Sequence, residues 1–357
     1  MISTKKNNLL LQTKKYIKGL DTLRAILIGF VLLNHLGVDV LFYENQYLNN
    51  NLFSLFSGET GVKFFFVLSG FLITRILWSQ FEETGKIDLK KFFIRRILRL
   101  APALFVFYLF LIILMISKII VYDLEAFLFA FFYLYNYVPL LHYRGELAHI
   151  WSLSVEEQFY LIWPFLILVF KKYRLLIVLI SIFILLSITA TIFLPEFVFK
   201  AHLRPKRWFM PAGGFIAIGA FIAIIQTKNN EKLAQLFHNQ NIPLFLSACC
   251  YLSTLLLPIY LIEAFSFVQA FGFGIFILWI FYNQESVLVG FMEFKPFSYF
   301  GKISYGIYVY QGLFLLTGPG SELKFQQFPL NFILTLGLAV VSYHFLEKPI
   351  MRFKNRF

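Results

Sequence analysis

Ten stretches of this chain are apolar for long enough to cross the roughly 30 Å hydrocarbon core of a bilayer, a distance that takes about 20 residues of α-helix. They run approximately over 22–41, 60–79, 97–117, 152–170, 174–194, 208–226, 242–259, 263–282, 297–317 and 328–347. A water-soluble fold cannot cover so much apolar surface. Only 14% of the 357 residues are charged, against roughly 25% in ordinary soluble domains, while 59% are hydrophobic and 47 are Phe. In lipid, every backbone N–H and C=O must be satisfied within the protein, so helices or a closed barrel are required, and continuous apolar runs select helices. The expected fold is an all-α polytopic bundle in a cell membrane. It forms one domain over 1–357, which begins with a short basic tail over 1–20.

The charge distribution sets the expected topology. Lys and Arg number 32 against 19 Asp and Glu, an excess that on a soluble face would suggest nucleic acid. Here the basic residues lie between apolar runs, so the positive-inside bias accounts for them, and no nucleic-acid partner is expected. An eleventh candidate, Leu124 to Leu141, is interrupted by Glu125, Asn136, Pro139 and three tyrosines. Ten spans with a cytoplasmic N-terminus put 24 basic residues inside and 8 outside, whereas an eleventh span gives 19 against 13. Ten spans with both termini cytoplasmic are therefore expected. Segment 124–141 then becomes a re-entrant or interfacial element on the outer side. The apolar stretch after the N-terminal lysines lacks a small-residue cleavage pattern and reads as a retained first helix. Adjacent Cys249 and Cys250 suit neither a relaxed disulfide nor metal-ligand spacing, and no metal is expected.

Several polar residues stand out inside these runs. Arg24 and His35 are eleven residues apart, close to three helical turns, so they share one helix face about 16 Å apart along the axis. Arg24 taken alone reads better as an interfacial anchor. An imidazole deep in a membrane is costly and marks a site, and histidine suits proton removal from a hydroxyl near neutral pH. Ser69 and Gly70, small among large aromatics, suggest close helix packing. Arg96 and Arg99 lie on one face where two guanidiniums can grip phosphate, within a basic cluster that also serves topology. In HIWSLSVEEQFY, Ser154 and Glu157 have capping-box spacing. Glu156 has no capping role and, with His149 and Trp151, can wall a polar pocket or act as a helix-dipole carboxylate. Ser304, Tyr308 and Gln311 form a polar stripe at helical spacing.

In order along the chain, GLDTLRA with His35 beyond it, GVKFFFVLSGFLIT, RRILRLAP, HIWSLSVEEQFYLIWP, FGKISYGIYVYQ and FLEKP resemble the membrane acyltransferase type 3 family over nearly the whole length. The resemblance implies transfer of an acyl group, most often acetyl from acetyl-CoA, to a sugar hydroxyl of polysaccharide, lipopolysaccharide or peptidoglycan. It implies that His35 is the essential histidine, that Arg24 is the basic residue preceding it, that Arg96 and Arg99 serve the acyl donor, and that Glu156 is the motif glutamate. The chain departs from many members at Lys63, where they carry an acid, and at Gln311, where they carry His. A fused extracytoplasmic esterase-like domain would need a long C-terminal extension, whereas this sequence stops at Phe357. Either the membrane domain completes transfer alone or a separate extracytoplasmic transferase takes part.

The expected protein is thus a membrane O-acyltransferase, with lipid around it, acetyl-CoA as donor and a carbohydrate acceptor. His35 and Glu156 are the candidate catalytic residues, and Arg24, Arg96 and Arg99 are the candidate donor-binding residues. His149, Trp151, Ser304, Tyr308 and Gln311 are the candidate acceptor-binding residues. His35 acts either as general base or as acyl carrier. The rival is a transporter or flippase for a lipid-linked sugar, with His35 and Glu156 as relay groups.

Overall fold

The computed structural model describes residues 16–37, 52, 54–198, 203–238, 240–257, 259–315 and 323–353. In chain order its helices are α1 (Leu20–His35), α2 (Gly58–Thr84), α3 (Leu89–Ile116), the short α4 (Leu124–Phe131), α5 (Ile150–Phe170), α6 (Tyr173–Val198) and α7 (Phe209–Lys228). They continue with α8 (Asn230–Phe237), α9 (Ile242–Leu252), α10 (Ile259–Tyr282), α11 (Val287–Met292), α12 (Lys295–Phe314), α13 (Leu330–Ser342) and α14 (Lys348–Arg352). A π-helical turn over Tyr343–Glu347 joins the last two. No strand occurs among the described residues, and the molecule is an all-α polytopic bundle.

Each expected span coincides with a helix, but seven helical segments among the described residues are both long and apolar enough to cross a membrane. The other three differ for separate reasons. Helix α1 has 16 residues, about 24 Å at 1.5 Å per residue, and residues 38–41 of its expected span lie outside the described ones. Helix α9 has 11 residues and gives way to a 3-10 turn over Ser253–Leu256. Helix α12 has the length, with 20 residues, but its Lys, Ser, Tyr and Gln dilute its apolarity.

The segment after Asp123 forms eight residues of helix, α4, followed by 3-10 turns at Tyr135–Tyr137 and Leu140–His142. Eight helical residues rise about 12 Å, well short of a crossing. The basic tail through Lys15, and Lys354 and Arg356 at the other end, lie outside the described residues.

Helices α2 and α7 form the centre, where small residues let backbones touch. A Cβ on Gly70 would stand 2.0 Å from the Ile216 carbonyl oxygen, and one on Gly219 would stand 2.0 Å from that of Val67. The two helices therefore meet glycine against backbone in both directions, the close-packed geometry that polar-free membrane interfaces use. Around this centre, α3, α6 and the 330–352 segment turn most of their apolar side chains outward.

Helix α1 packs against both α2 and α12, and its first turn is fixed from outside. The Gly19 N–H donates to Glu293 at 2.6 Å, and the Thr22 hydroxyl donates to the Met292 carbonyl. These bonds satisfy groups that a helix start leaves open, and they hold the helix that carries Arg24 and His35.

Candidate active site

Two polar regions are built around α1. One is a cleft of about 750 Å³ lined by Asn34, His35, His149, Trp151 and Tyr308, with Arg204 and Arg207 among its other walls. His35 sits half-buried at the C-terminal end of α1. His149 precedes α5, and its ring packs edge-on against Phe107 and Tyr308, with centroids 5.2 and 5.7 Å away. Tyr308 reaches across from α12, its hydroxyl donating to the His149 carbonyl at 3.1 Å and meeting the Ser152 hydroxyl at 2.5 Å. Trp151 stands edge-on to Phe66. Two imidazoles and a phenol thus line one concave space.

The second region gathers the arginines. Arg24 pairs with Asp21 at 2.6 Å, and Arg96 pairs with Glu157 at 2.7 Å while lying over the Tyr160 ring at 3.2 Å. Arg99 is within electrostatic reach of Arg24, Arg96 and Glu156. It keeps accessible surface and has no ion pair among the described residues. Glu156 also belongs here, not to the wall of the His35 cleft: its carboxylate neighbours Ser69, Arg96 and Arg99, and Ser69 in turn contacts the Tyr160 hydroxyl. Tyr308 lies between the regions, close enough to Glu156 to feel its charge.

One reading of local sequence is corrected. Ser154 and Glu157 do not form a capping box, because α5 already starts at Ile150. The Ser154 hydroxyl bonds back to the Ile150 carbonyl at 2.9 Å, and Glu157 is left to pair with Arg96. The basic run from Lys90 to Arg99 is the first part of the continuous helix α3, which runs through Pro102, so Arg96 and Arg99 do stand near a helix start as expected.

The polar stripe on α12 also divides. Tyr308 lines the cleft, whereas the Ser304 hydroxyl donates to the Gly301 carbonyl at 2.9 Å within its own helix. Gln311 is fully buried, and its amide has no hydrogen-bond partner among the described residues.

Some cleft residues escaped the reading of the sequence. Arg204 stacks on Tyr143 at 3.8 Å, and Arg207 lies 5.3 Å from the Trp151 ring. A chain of ion pairs joins Glu59 to Lys63, Lys63 to Glu263 and Glu263 to Lys206, at 2.9, 3.1 and 2.9 Å. The signal was present in HLRPKRW, whose cations stand on the expected outer side against the positive-inside bias. Lys63, unusual for the resembled family, belongs to this chain of pairs.

A family model described as an acyltransferase domain matches residues 17–344. A peptidoglycan O-acetyltransferase of Listeria monocytogenes is 29% identical, the match covering 95% of this chain and 56% of that protein. A Bacillus subtilis protein provisionally named a peptidoglycan O-acetyltransferase is 28% identical over 95% of this chain and 55% of its own length. A Staphylococcus aureus protein provisionally named an O-acetyltransferase is 34% identical over 45% of this chain and 27% of its own. The chain therefore spans about half the length of the long relatives it matches. No solved structure matches it.

Proposed function

Because the chain belongs to the acyltransferase family, whose model covers residues 17–344, we propose that it transfers an acetyl group from acetyl-CoA to a hydroxyl of a cell-envelope glycan, peptidoglycan being the acceptor. The observation that carries this reading is the division of polar residues along α1, with Arg24 in an arginine cluster near one end and His35 in an open cleft at the other. The cluster suits the phosphates of a nucleotide thioester. The distance along α1, about 16 Å, suits an extended pantetheine arm.

The arginines bind the donor, Arg99 being the most available. The acceptor hydroxyl oxygen attacks the thioester carbonyl carbon while His35 takes its proton. The carbon–sulfur bond breaks, and the CoA thiolate leaves and takes up a proton. If His35 carries the acyl group instead, its ring nitrogen attacks the thioester carbon and the carbon–sulfur bond breaks to leave an acyl-imidazole; the acceptor hydroxyl oxygen then attacks that carbonyl, the carbon–nitrogen bond breaks, and the hydroxyl proton passes to the released imidazole. Tyr308 orients the reacting groups across the cleft, and Glu156 balances the arginine cluster. Transfer is direct, or it passes through a separate extracytoplasmic transferase.

The test uses purified full-length protein with acetyl-CoA and solubilised peptidoglycan fragments. Release of CoA thiol that depends on the fragments, matched by acetylated fragments in mass spectrometry, supports the reading. A transporter or flippase would release no thiol, and that result would remove direct acetyl transfer to the fragments. Transfer to fragments with no other protein present removes the separate transferase.

A further inference from the structure

The outer wall of the His35 cleft holds more positive charge than its own acids balance. Arg204, Lys206 and Arg207 line it, and among the described lining residues Glu59 is the acid. Glu59 is engaged by Lys63, and Lys206 is engaged by Glu263, each at 2.9 Å. No described carboxylate lies within ion-pair distance of Arg204 or Arg207. Both are nonetheless held in place. Arg204 lies on the Tyr143 ring at 3.8 Å, and Arg207 donates to the Tyr143 hydroxyl at 3.3 Å while facing Trp151. A guanidinium stacked by its face keeps its N–H donors in the plane, where they match a carboxylate or phosphate. Burial, together with the Arg207 charge beside it, lowers the pKa of Arg204.

We propose that Arg204 and Arg207 form a subsite for an anionic group carried by the acceptor, so that the preferred acceptor is an acidic saccharide with its carboxylate or phosphate near the reacting hydroxyl. The identity of the occupant rests on the acetyl-transfer reading; the anion subsite itself rests on the arginines. A glycan is favoured over a lipid headgroup because the pair shares one concavity with His35, His149 and Tyr308, so an anion held there brings its neighbouring hydroxyl to the imidazoles.

The experiment measures binding without catalysis. Calorimetric titration of the detergent-purified full chain compares two tetrasaccharides of equal length, neutral chitotetraose and an alternating N-acetylglucosamine–N-acetylmuramic acid chain with free carboxylates. The acidic one is expected to bind about tenfold tighter or better, as a charge-assisted contact implies. In Arg204→Gln and Arg207→Gln the preference should fall to within about twofold, with chitotetraose affinity little changed. Equal binding of the two sugars by the parent protein, or an undiminished preference in both folded variants, overturns the subsite. If neither variant folds, the salt series on the parent protein decides: a preference that does not shrink as salt rises is not electrostatic.

Inorganic phosphate and nanodiscs with or without phosphatidylglycerol separate the sources of anion. Loss of the sugar preference only in phosphatidylglycerol nanodiscs would assign the arginines to lipid and overturn the glycan assignment. Thiol release is followed on the same preparation. An acidic-sugar preference without thiol release removes acetyl transfer and leaves the subsite, and thiol release without the preference does the reverse.

Discussion

The guanidinium of Arg96 and the carboxylate of Glu157 lie 2.7 Å apart and tie α3 to α5. The same guanidinium rests on the Tyr160 ring, 3.2 Å from its centroid, so Arg96 is held on two sides by one helix. Removing either partner leaves the other charge poorly compensated, and a double-mutant cycle isolates the shared part. Arg96→Ala, Glu157→Ala and the double variant, compared by thermal unfolding in detergent, should show a coupling of about 0.5–3 kcal/mol. Strictly additive losses would mean that the pair adds nothing to the join between the helices.

The three arginines should not weigh equally in donor binding. Arg24 is neutralised by Asp21 and Arg96 by Glu157, while Arg99 keeps accessible surface and has no ion pair among the described residues. Arg99→Ala should raise the KM for acetyl-CoA by about ten- to a hundredfold, the worth of a charge-assisted contact. It should lower kcat less, because phosphate contacts bind ground state and transition state alike. Arg24→Ala and Arg96→Ala should raise KM less, and all three effects should shrink with a short thioester that lacks the nucleotide. The kinetics of the three variants with both donors decide the matter. Equal losses with both donors would move the phosphate site elsewhere.

His35 should behave in the opposite way. His35→Ala leaves the packing of α1 largely intact, because the ring is only half-buried, and it should insert and fold while losing transfer. Donor affinity, set at the other end of α1, should change little. Well-folded His35→Ala retaining more than a few per cent of the parent rate would exclude the imidazole from the reaction.

How far these arguments could be read from sequence depended on the range of the interaction. The helices were legible because continuous apolarity is a local property; α12 was found despite its polar residues, and α1 carries Arg24 and His35 on one helix as their spacing required. The role of Glu157 was not legible. Its spacing from Ser154 imitates a cap, whereas its partner Arg96 lies 61 residues away, a distance on which local periodicity is silent. Ser304, Tyr308 and Gln311 share a stripe in sequence, yet only Tyr308 reaches the cleft, because neighbouring helices decide which part of a helix face meets open space. Arg204 and Arg207 were visible only as charges on the unexpected side, and the meaning of that anomaly required the cleft.

The segment that begins at Asp123 should respond to acid. Burial alone would raise the pKa of Asp123, but the Ala126 N–H, His142 and Arg144 beside it outweigh burial and hold it below the usual value. Their distances are 2.9, 3.2 and 2.5 Å. A carboxylate whose folded pKa is depressed contributes stability that is fully present above its ordinary pKa, near 3.9, and is lost as pH falls through the folded value. Parent and Asp123→Asn should therefore differ in Tm by a constant amount at neutral pH, and the gap should close below pH about 4. A gap that persists unchanged at pH about 2 would show that the carboxylate's charge does not hold this segment.

The most demanding prediction concerns a residue with no functional side chain. A Cβ on Gly312 would stand 2.2 Å from Cε1 and 2.4 Å from Nδ1 of His149, and 2.3 Å from the carbonyl oxygen of Glu146. The imidazole is wedged between Phe107 and Tyr308, and the Glu146 oxygen belongs to the backbone, so neither gives way cheaply. Gly312→Ala must therefore push α12 away from the start of α5. Tyr308, one turn earlier on α12, donates to the His149 carbonyl at 3.1 Å, and that bond is stretched by the same displacement. Overpacking of this kind costs about 1–3 kcal/mol of stability. Because it moves Tyr308 and His149 against His35, kcat should fall about tenfold or more. Donor KM should hold, since the arginines stand on α1 and α3. Gly290→Ala supplies the comparison: nothing lies within 4 Å of its added Cβ, so it should keep parent kinetics. The measurement is steady-state transfer by the two variants at matched folded fractions. Parent-like kcat in Gly312→Ala would mean that the packing of His149 on α12 has no part in arranging the cleft.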